Sequence, residues 1–402
     1  MDDASDSKHA FSEKDLTGFK FVRRVLPMLA RLHAEGCRRD KAHNRKLYFD
    51  DYAALMLLFF FNPIVRSMGG VVQASGLEKV QKELGVSPTS KASFSEAPGV
   101  FDPDLLEEVV KELAGQIATL QHDGRLDQVP GTITLVDGTE VRALAKLVGH
   151  LGTGTDGTAN RAIKLHTHFD LFKGVPLDMD LTAATDSEVR NLTGRLQKDR
   201  CYVKDRGYAC FSLFQRIIDV GSHFVCRVRD NSVYERVEDR PVGEEAKAAG
   251  VLSDQVVWLG CDSKRGELRQ PLRVIRIACV KHQKRAHTGR GGPEQGDFLL
   301  IATDLLDLPA EVIALIYQSR WAIEIFFRFF KRVLGCRHLL SHRENGITIQ
   351  VYMAIIASLL IALTTGRKPT LRTVEMMQFY FSGWATEREL EAHIAKLKKQ
   401  DP

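Results

Sequence analysis

The dipeptide Pro130-Gly131 divides this chain into two textures, and that division constrains the fold more than any other feature. Before it, Phe19 to Asp123 reads as helical. Asp50 and Asp51 can cap a helix that runs to Phe61 and stops at Asn62-Pro63. A Gly- and Ser-rich stretch, Ser67 to Ser95, suits short helices and turns, and Asp102-Pro103-Asp104 opens another helix that stops near Gly124. After the boundary come β-branched runs. Thr132 to Asp137, Ile163 to Phe169 and Leu177 to Ala183 read as strands, with Lys173-Gly174 as a hairpin turn between the last two. A helix over Ser187 to Gln197, a strand over Cys201 to Asp205, a helix over Tyr208 to Val220 and a strand over Phe224 to Val228 follow. Strands first and then alternating helices and strands imply a mixed α/β sheet.

Between Asp230 and Gly296 the helical signal fades, and Val256 to Leu259 and Leu272 to Val280 read as strands among basic loops. Phe298 to Ala302 is a further strand. Two long helices are expected next, Ala310 to Leu334 and Gly346 to Leu363, then an amphipathic helix from Thr386 to Lys398. Thr386 and Glu389 have the spacing of a capping box. Ile347 to Thr365 is long enough to span a bilayer and has no formal charge. Its Thr348, Gln350 and Ser358 favour a buried core helix instead. With a polar, acidic start at Met1 to Ser7 and no membrane span expected, a cytoplasmic, nucleoid-associated protein is anticipated.

At 402 residues and 44% hydrophobic, the chain can bury two or three cores without staples. Seven scattered cysteines without a C-x-x-C pair argue against a zinc ribbon or redox motif. His166 with His168 and His338 with His342 have spacings that a zinc site could use, but structural roles explain them more simply. Net charge is only +5, yet cations concentrate between Lys20 and Lys46 and again between Lys264 and Arg290. Such clusters favour a polyanion through counterion release, although a solvated charged face is the common alternative.

The helix expected from Ala310 carries the chemistry. On an ideal helix Tyr317, Arg320, Glu324, Arg328 and Lys331 fall in one stripe about 80° wide, with Phe326, Phe329, Phe330 and Val333 opposite. One carboxylate among cations can be a surface ion pair. It can also be a metal ligand flanked by groups that grip phosphates. Partners for the second role exist. Asp137 ends one hydrophobic run before Gly138, and Asp205 ends another before Arg206-Gly207, each where open α/β sheets carry ligands. An Asp before a Gly is also a common turn residue. Three such carboxylates could share two divalent ions about 3.5–4 Å apart, the arrangement used for in-line phosphoryl transfer. Mg²⁺ suits oxygen ligands and retains open positions, and Mn²⁺ is a possible substitute.

Tyr317, Arg320, Glu324 and Lys331 have the spacing Y-(2)-R-(3)-E-(6)-K, which resembles the signature of bacterial DDE transposases of the insertion-sequence-4 family. Arg320-Trp321-Ala322-Ile323-Glu324, Asp205-Arg206-Gly207-Tyr208 and Val136-Asp137-Gly138-Thr139 are similar to further motifs of that family. The similarity extends to the helix over Leu339 to Leu360. The resemblance covers roughly Pro130 to Leu363. It implies a ribonuclease-H-like catalytic core, 130–229 and 298–366, interrupted by a β-rich insertion at 230–297. A helical DNA-binding region, 1–129, would precede it and a helical C-terminal region, 367–402, would follow. By the same resemblance Asp137, Asp205 and Glu324 hold two Mg²⁺ ions, while Tyr317, Arg320, Lys331 and Arg328 contact DNA. Trp258, in the insertion, is the candidate aromatic for a flipped base. The implied reaction is cut-and-paste transposition through a hairpin at the element's end. Double-stranded DNA would be the substrate and a homodimer on paired ends the active form. The competing readings are a catalytically inactive DNA-binding descendant, a nuclease that cuts without joining, and a glycosidase built on a carboxylate pair.

Overall fold

The computed structural model describes residues 24–36, 38–41, 45–141, 163–183, 185–260, 267–279, 298–333, 340–341 and 343–398. Parts of both basic clusters, and His338 and His342, lie outside the described residues. By contacts the chain forms two units. One comprises residues up to Ala118 together with those from Arg328 onward, and the other runs from Thr119 to Phe327.

The first unit is built on three helices, α1 (Phe49–Phe61), α2 (Leu105–Gln116) and α7 (Glu344–Thr365). Past their first turns α1 and α7 are largely apolar on every side, which a helix tolerates only where other elements surround it. α7 packs on both α1 and α2, and 89% of its most apolar stretch is buried inside the protein, so this membrane-length helix is a core helix. The polar groups within it are satisfied locally. Gln350 accepts from the Leu340 N–H at 2.9 Å, and Ser358 donates to the Ala354 carbonyl at 3.0 Å. Left-handed Gly366 (φ 64°) ends it, a conformation that costs glycine little. α8 (Leu371–Phe381) and α9 (Glu387–Lys398) follow. The expected capping box opens α9, with Thr386 N donating to Glu389 Oε2 at 2.7 Å and Glu389 N donating to Thr386 Oγ1 at 3.3 Å.

The second unit holds one nine-stranded mixed sheet in the order β3-β2-β1-β4-β5-β9-β8-β7-β6. Its strands are β1 (Thr132–Val141), β2 (Ile163–Asp170), β3 (Val175–Ala183), β4 (Arg200–Lys204), β5 (His223–Val228), β6 (Tyr234–Arg240), β7 (Val251–Leu259), β8 (Leu272–Ala278) and β9 (Phe298–Thr303). β1, β2 and β3 form an antiparallel meander, β1, β4 and β5 run parallel, and β9 to β6 continue antiparallel from β5. Two helices, α3 (Glu188–Gly194) and α4 (Phe211–Asp219), make the crossovers between the parallel strands. Leu192 of α3 and Leu213, Phe214 and Ile217 of α4 join Val136, Tyr202, Phe224 and Cys226 in one buried cluster.

Two expectations about this unit need correction. β6 carried no strand signal, because its residues Tyr234 to Arg240 are mostly charged and solvent-facing, as befits a sheet edge. It, β7 and β8 are hydrogen-bonded into the central sheet through β9. The single helix expected over Ala310 to Leu334 is instead two, α5 (Ala310–Ser319) and α6 (Trp321–Val333). Ser319 Oγ donates to the Leu315 carbonyl at 2.9 Å, a back-bond that bends helices. Arg320 N then bonds to the Tyr317 carbonyl at 3.1 Å, a tightened i to i−3 turn.

Candidate active site

The site lies where β1 and β4 part. Their parallel ladder ends at Val136 opposite Lys204, so Asp137 and Asp205 are the next residue on each of two neighbouring strands. Asp137 is not at the end of its strand, as the hydrophobic run suggested. β1 continues to Val141, but only against β2, where Asp137 faces Thr167. It is the loss of the β4 partner that leaves its side chain accessible. Each aspartate is fixed by a backbone donor beyond it. Asp137 Oδ1 accepts from Gly138 N and Asp205 Oδ1 from Gly207 N, both at 2.8 Å.

Arg320, in the one-residue turn before α6, and Glu324 on α6 come to the same place. The Arg320 guanidinium bonds Glu324 Oε1 at 2.5 Å and lies 3.8 Å from Asp137 Oδ2. Tyr317, one turn earlier on α5, is half-buried, and burial pushes its phenol up to about 12. Burial also pushes the Asp137 carboxyl up to about 7. The neighbouring Asp205 charge adds to this, while Arg320 and the Gly138 N–H only partly offset it. A carboxyl so far from its ordinary range marks a functional centre more often than a structural one.

The residues singled out in the sequence therefore separate. Asp137, Asp205, Tyr317, Arg320 and Glu324 come together. Arg328, exposed, and Lys331 lie one and two turns beyond Glu324 on α6. Trp258 does not reach this place. It is half-buried on β7, five strands across the sheet from β1, about 24 Å at the usual spacing. Two features were not legible from the sequence. Glu188, the first residue of α3, stands beside both glycines that follow the aspartates. It pairs with Lys164 of β2 at 3.1 Å. Its only sequence signal was an acidic residue after the helix cap Ser187, which reads as ordinary helix capping. The second is a cavity of about 700 Å³ beside Tyr317, Arg320 and Trp321, walled by Arg125, Ile277 and Leu299.

As donors, these carboxylates suit a hard divalent ion. Among the described residues no three ligand-type side chains already converge on one point. Arg320 holds Asp137 and Glu324, so an ion would compete with the guanidinium for their oxygens.

Residues 129–360 match the transposase DDE domain, more than half of the chain, and the protein belongs to that family. It is 27% identical to the putative transposase y4zB of Sinorhizobium fredii, over 69% of this chain and 71% of that protein. It is 24% identical to a putative transposase for insertion sequence element IS4SA of Synechocystis, over 70% and 72%. A probable transposase for insertion sequence element IS5377 of Geobacillus stearothermophilus is 27% identical, over 50% and 48%. Among solved structures, the piggyBac transposase synaptic complex with hairpin DNA covers 97% of this chain and 86% of its own. That match has 11% identity and a TM-score of 0.41. The chain is thus a DNA transposase of the insertion-sequence type.

Proposed function

We propose that this transposase cleaves the ends of its element and joins them to target DNA by a metal-dependent, cut-and-paste route. Asp137, Asp205 and Glu324 would carry the chemistry. The observation that carries the reading is the placement of these side chains: two aspartates one residue beyond the same parallel ladder, with Glu324 tied to Asp137 through Arg320. Five strands in the order β3-β2-β1-β4-β5, with β2 alone antiparallel to its neighbours, support a ribonuclease-H-like core. β6 to β8 would be the insertion, and the helices before Ala118 the end-reading region.

Two Mg²⁺ ions, bound by Asp137, Asp205 and Glu324, would supply Lewis acidity at the scissile phosphate. The protein's own part is positional and electrostatic. Arg320 and Tyr317, together with Lys331 and Arg328 farther along α6, would hold phosphate oxygens of the cut strand. Arg320, which holds Asp137 and Glu324 here, would be free to meet those phosphates when the carboxylates are otherwise engaged. Water attacks the phosphodiester in the cleavage step, and the freed 3′-hydroxyl attacks the target strand in the joining step. A homodimer on paired ends would coordinate the two cuts.

The test uses purified protein and DNA from both flanks of its own gene, in Mg²⁺ or EDTA, with wild type and Glu324→Gln compared. Metal-dependent nicks or hairpins at a defined end, lost in the variant, are expected. Specific binding with no cleavage in either Mg²⁺ or Mn²⁺ would replace this reading with that of an inactive DNA-binding descendant.

A further inference from the structure

Arg273 belongs to the cation-rich stretch Lys264 to Arg290, yet it does not face a polyanion: on β8 its side chain is buried, with 3% of its surface exposed. Its guanidinium has two sets of partners. Nε and Nη2 donate to the two oxygens of Asp254 on β7, at 2.8 Å and 2.6 Å, a bidentate pair in which both partners are buried. That pairing turns Nη1 the other way, where it donates to the carbonyls of Leu305 at 3.3 Å, of Leu306 at 3.2 Å and of Leu308. Arg240 of β6 donates to the Leu306 carbonyl as well.

These carbonyls lie in the segment 304–309 that joins β9 to α5. The sheet ladder stops at Thr303, so side chains supply the donors that a neighbouring strand would otherwise give. The same segment is tied to β5. Phe224 N donates to Asp304 Oδ1 at 2.9 Å, and His223 Nδ1 pairs with Asp304 Oδ2 at 2.7 Å. Thr303 Oγ1 donates to the Phe224 carbonyl at 2.6 Å and accepts from Leu305 N at 3.1 Å.

A helix pinned at its start has its phase and height set there. α5 packs on β5 and β7, and Tyr317 lies eight residues beyond Pro309, about 12 Å along the axis. Arg320 follows directly after α5. A buried ion pair is weak grounds for stability, because apolar residues of similar volume often serve as well. What this pair adds is direction, since no apolar side chain can hold three carbonyls. We propose that Arg273, oriented by Asp254, is a positioning residue for DNA end processing. It fixes the segment that launches α5, and through α5 it sets Tyr317 and Arg320 against the DNA backbone. This rests on the reading of Tyr317 and Arg320 as phosphate contacts.

The experiment measures end cleavage and the salt dependence of DNA binding, using the full-length protein and DNA flanking its own gene. Arg273→Met/Asp254→Leu removes both buried charges and leaves the net charge unchanged. Thr303→Val removes the anchor at Leu305 N without touching a charge. Arg320→Ala is the reference for the phosphate contact, and melting reports folding. The paired variant is expected to cleave about tenfold or more slowly, with Thr303→Val slowed in the same direction. In both, the slope of log affinity against log salt should fall by up to about one, as in Arg320→Ala, at near wild-type melting temperature. Arg273 is buried and the charge balance is kept, so a lower slope has to arise through the groups that α5 positions. Adding Arg320→Ala to either variant should therefore lower it no further.

Wild-type slope and rate in the paired variant, with both reduced in Arg320→Ala, would overturn the role of Arg273 alone. Slower cleavage at an unchanged slope would do the same, since the pair would then be structural. A wild-type slope in Arg320→Ala would overturn the phosphate-contact reading on which the proposal rests. If the paired variant does not fold, Thr303→Val decides, and wild-type slope and rate there would overturn the proposal.

Discussion

Asp137 and Lys204 occupy adjoining strands at the end of one ladder, and burial acts on them in opposite directions. Asp137 holds its proton up to about pH 7 in the folded chain, whereas an unfolded aspartate loses it near pH 3.9. Between those values the folded state binds more protons, so its stability falls as pH rises from about 4 to about 7 and is level above. Asp137→Asn removes that cost. In EDTA at pH 8 the variant should melt a few degrees higher, corresponding to about 1–3 kcal/mol, and the gain should shrink at pH 5. Added Mn²⁺ should raise the melting temperature of wild type and not of the variant. A variant that melts lower at pH 8 would contradict this account.

Lys204 is fully buried, its ammonium 4.8 Å and 5.1 Å from the centres of the Phe214 and Phe224 rings, with no hydrogen-bond partner among the described residues. Burial pulls its pKa down to about 8. From there to the ordinary value near 10.4 the folded state binds fewer protons than the unfolded chain, so stability rises with pH across that window. Lys204→Met should therefore stabilise the protein below pH 8, by about 1–3 kcal/mol, and the advantage should fade by pH 10.5. Melting curves at pH 7 and pH 10.5 decide it, and equal gains at both would rule out the buried charge as the cause.

Among the elements, the junction of α5 and α6 matters most. An unbroken helix would keep Tyr317, Arg320 and Glu324 in phase along one stripe. The Ser319 back-bond and the tightened turn at Arg320 mark the junction, where Arg320 lies between Asp137 and Glu324. Ser319→Ala should straighten this junction. DNA end cleavage should fall by about tenfold to a hundredfold, because small misplacements of reacting groups are costly, while stability stays within about 0.5 kcal/mol of wild type. Cleavage rates and melting on the same preparations test it; unaltered cleavage would show that the bend is incidental. The periodicity of Ala310 to Val333 gave the apolar face of this region correctly. It missed the break because a serine hydroxyl that bonds back to a carbonyl leaves no mark on hydrophobic spacing.

For the whole molecule, the net charge of +5 is small, so affinity for DNA must come from where the cations lie. Arg328 and Lys331 are proposed phosphate contacts, and each replaced by alanine should lower the slope of log affinity against log salt by about one. An unchanged slope would remove that residue from the interface. Asp205→Asn should leave the slope alone and abolish cleavage.

The sequence by itself determined the local order of this protein: the change from helices to strands after Pro130-Gly131, the strand and helix alternation, the buried character of Ile347 to Thr365, and the capping box at Thr386. It also marked Asp137, Asp205, Glu324, Tyr317 and Arg320, because their spacing and their positions after hydrophobic runs are one-dimensional facts. Tertiary structure decided everything that depends on which strands become neighbours. The β4 partner is lost after Val136, and that leaves the Asp137 side chain accessible inside a strand that runs on. Sheet order sets Trp258 five strands away and places β6, β7 and β8 in the central sheet. The packing of α3 brings Glu188, 51 positions after Asp137 and 17 before Asp205, against both of their glycines. Hydrophobic pattern and short-range spacing encode an element's type and its buried face, but distance through the fold is fixed only when the sheet chooses its neighbours.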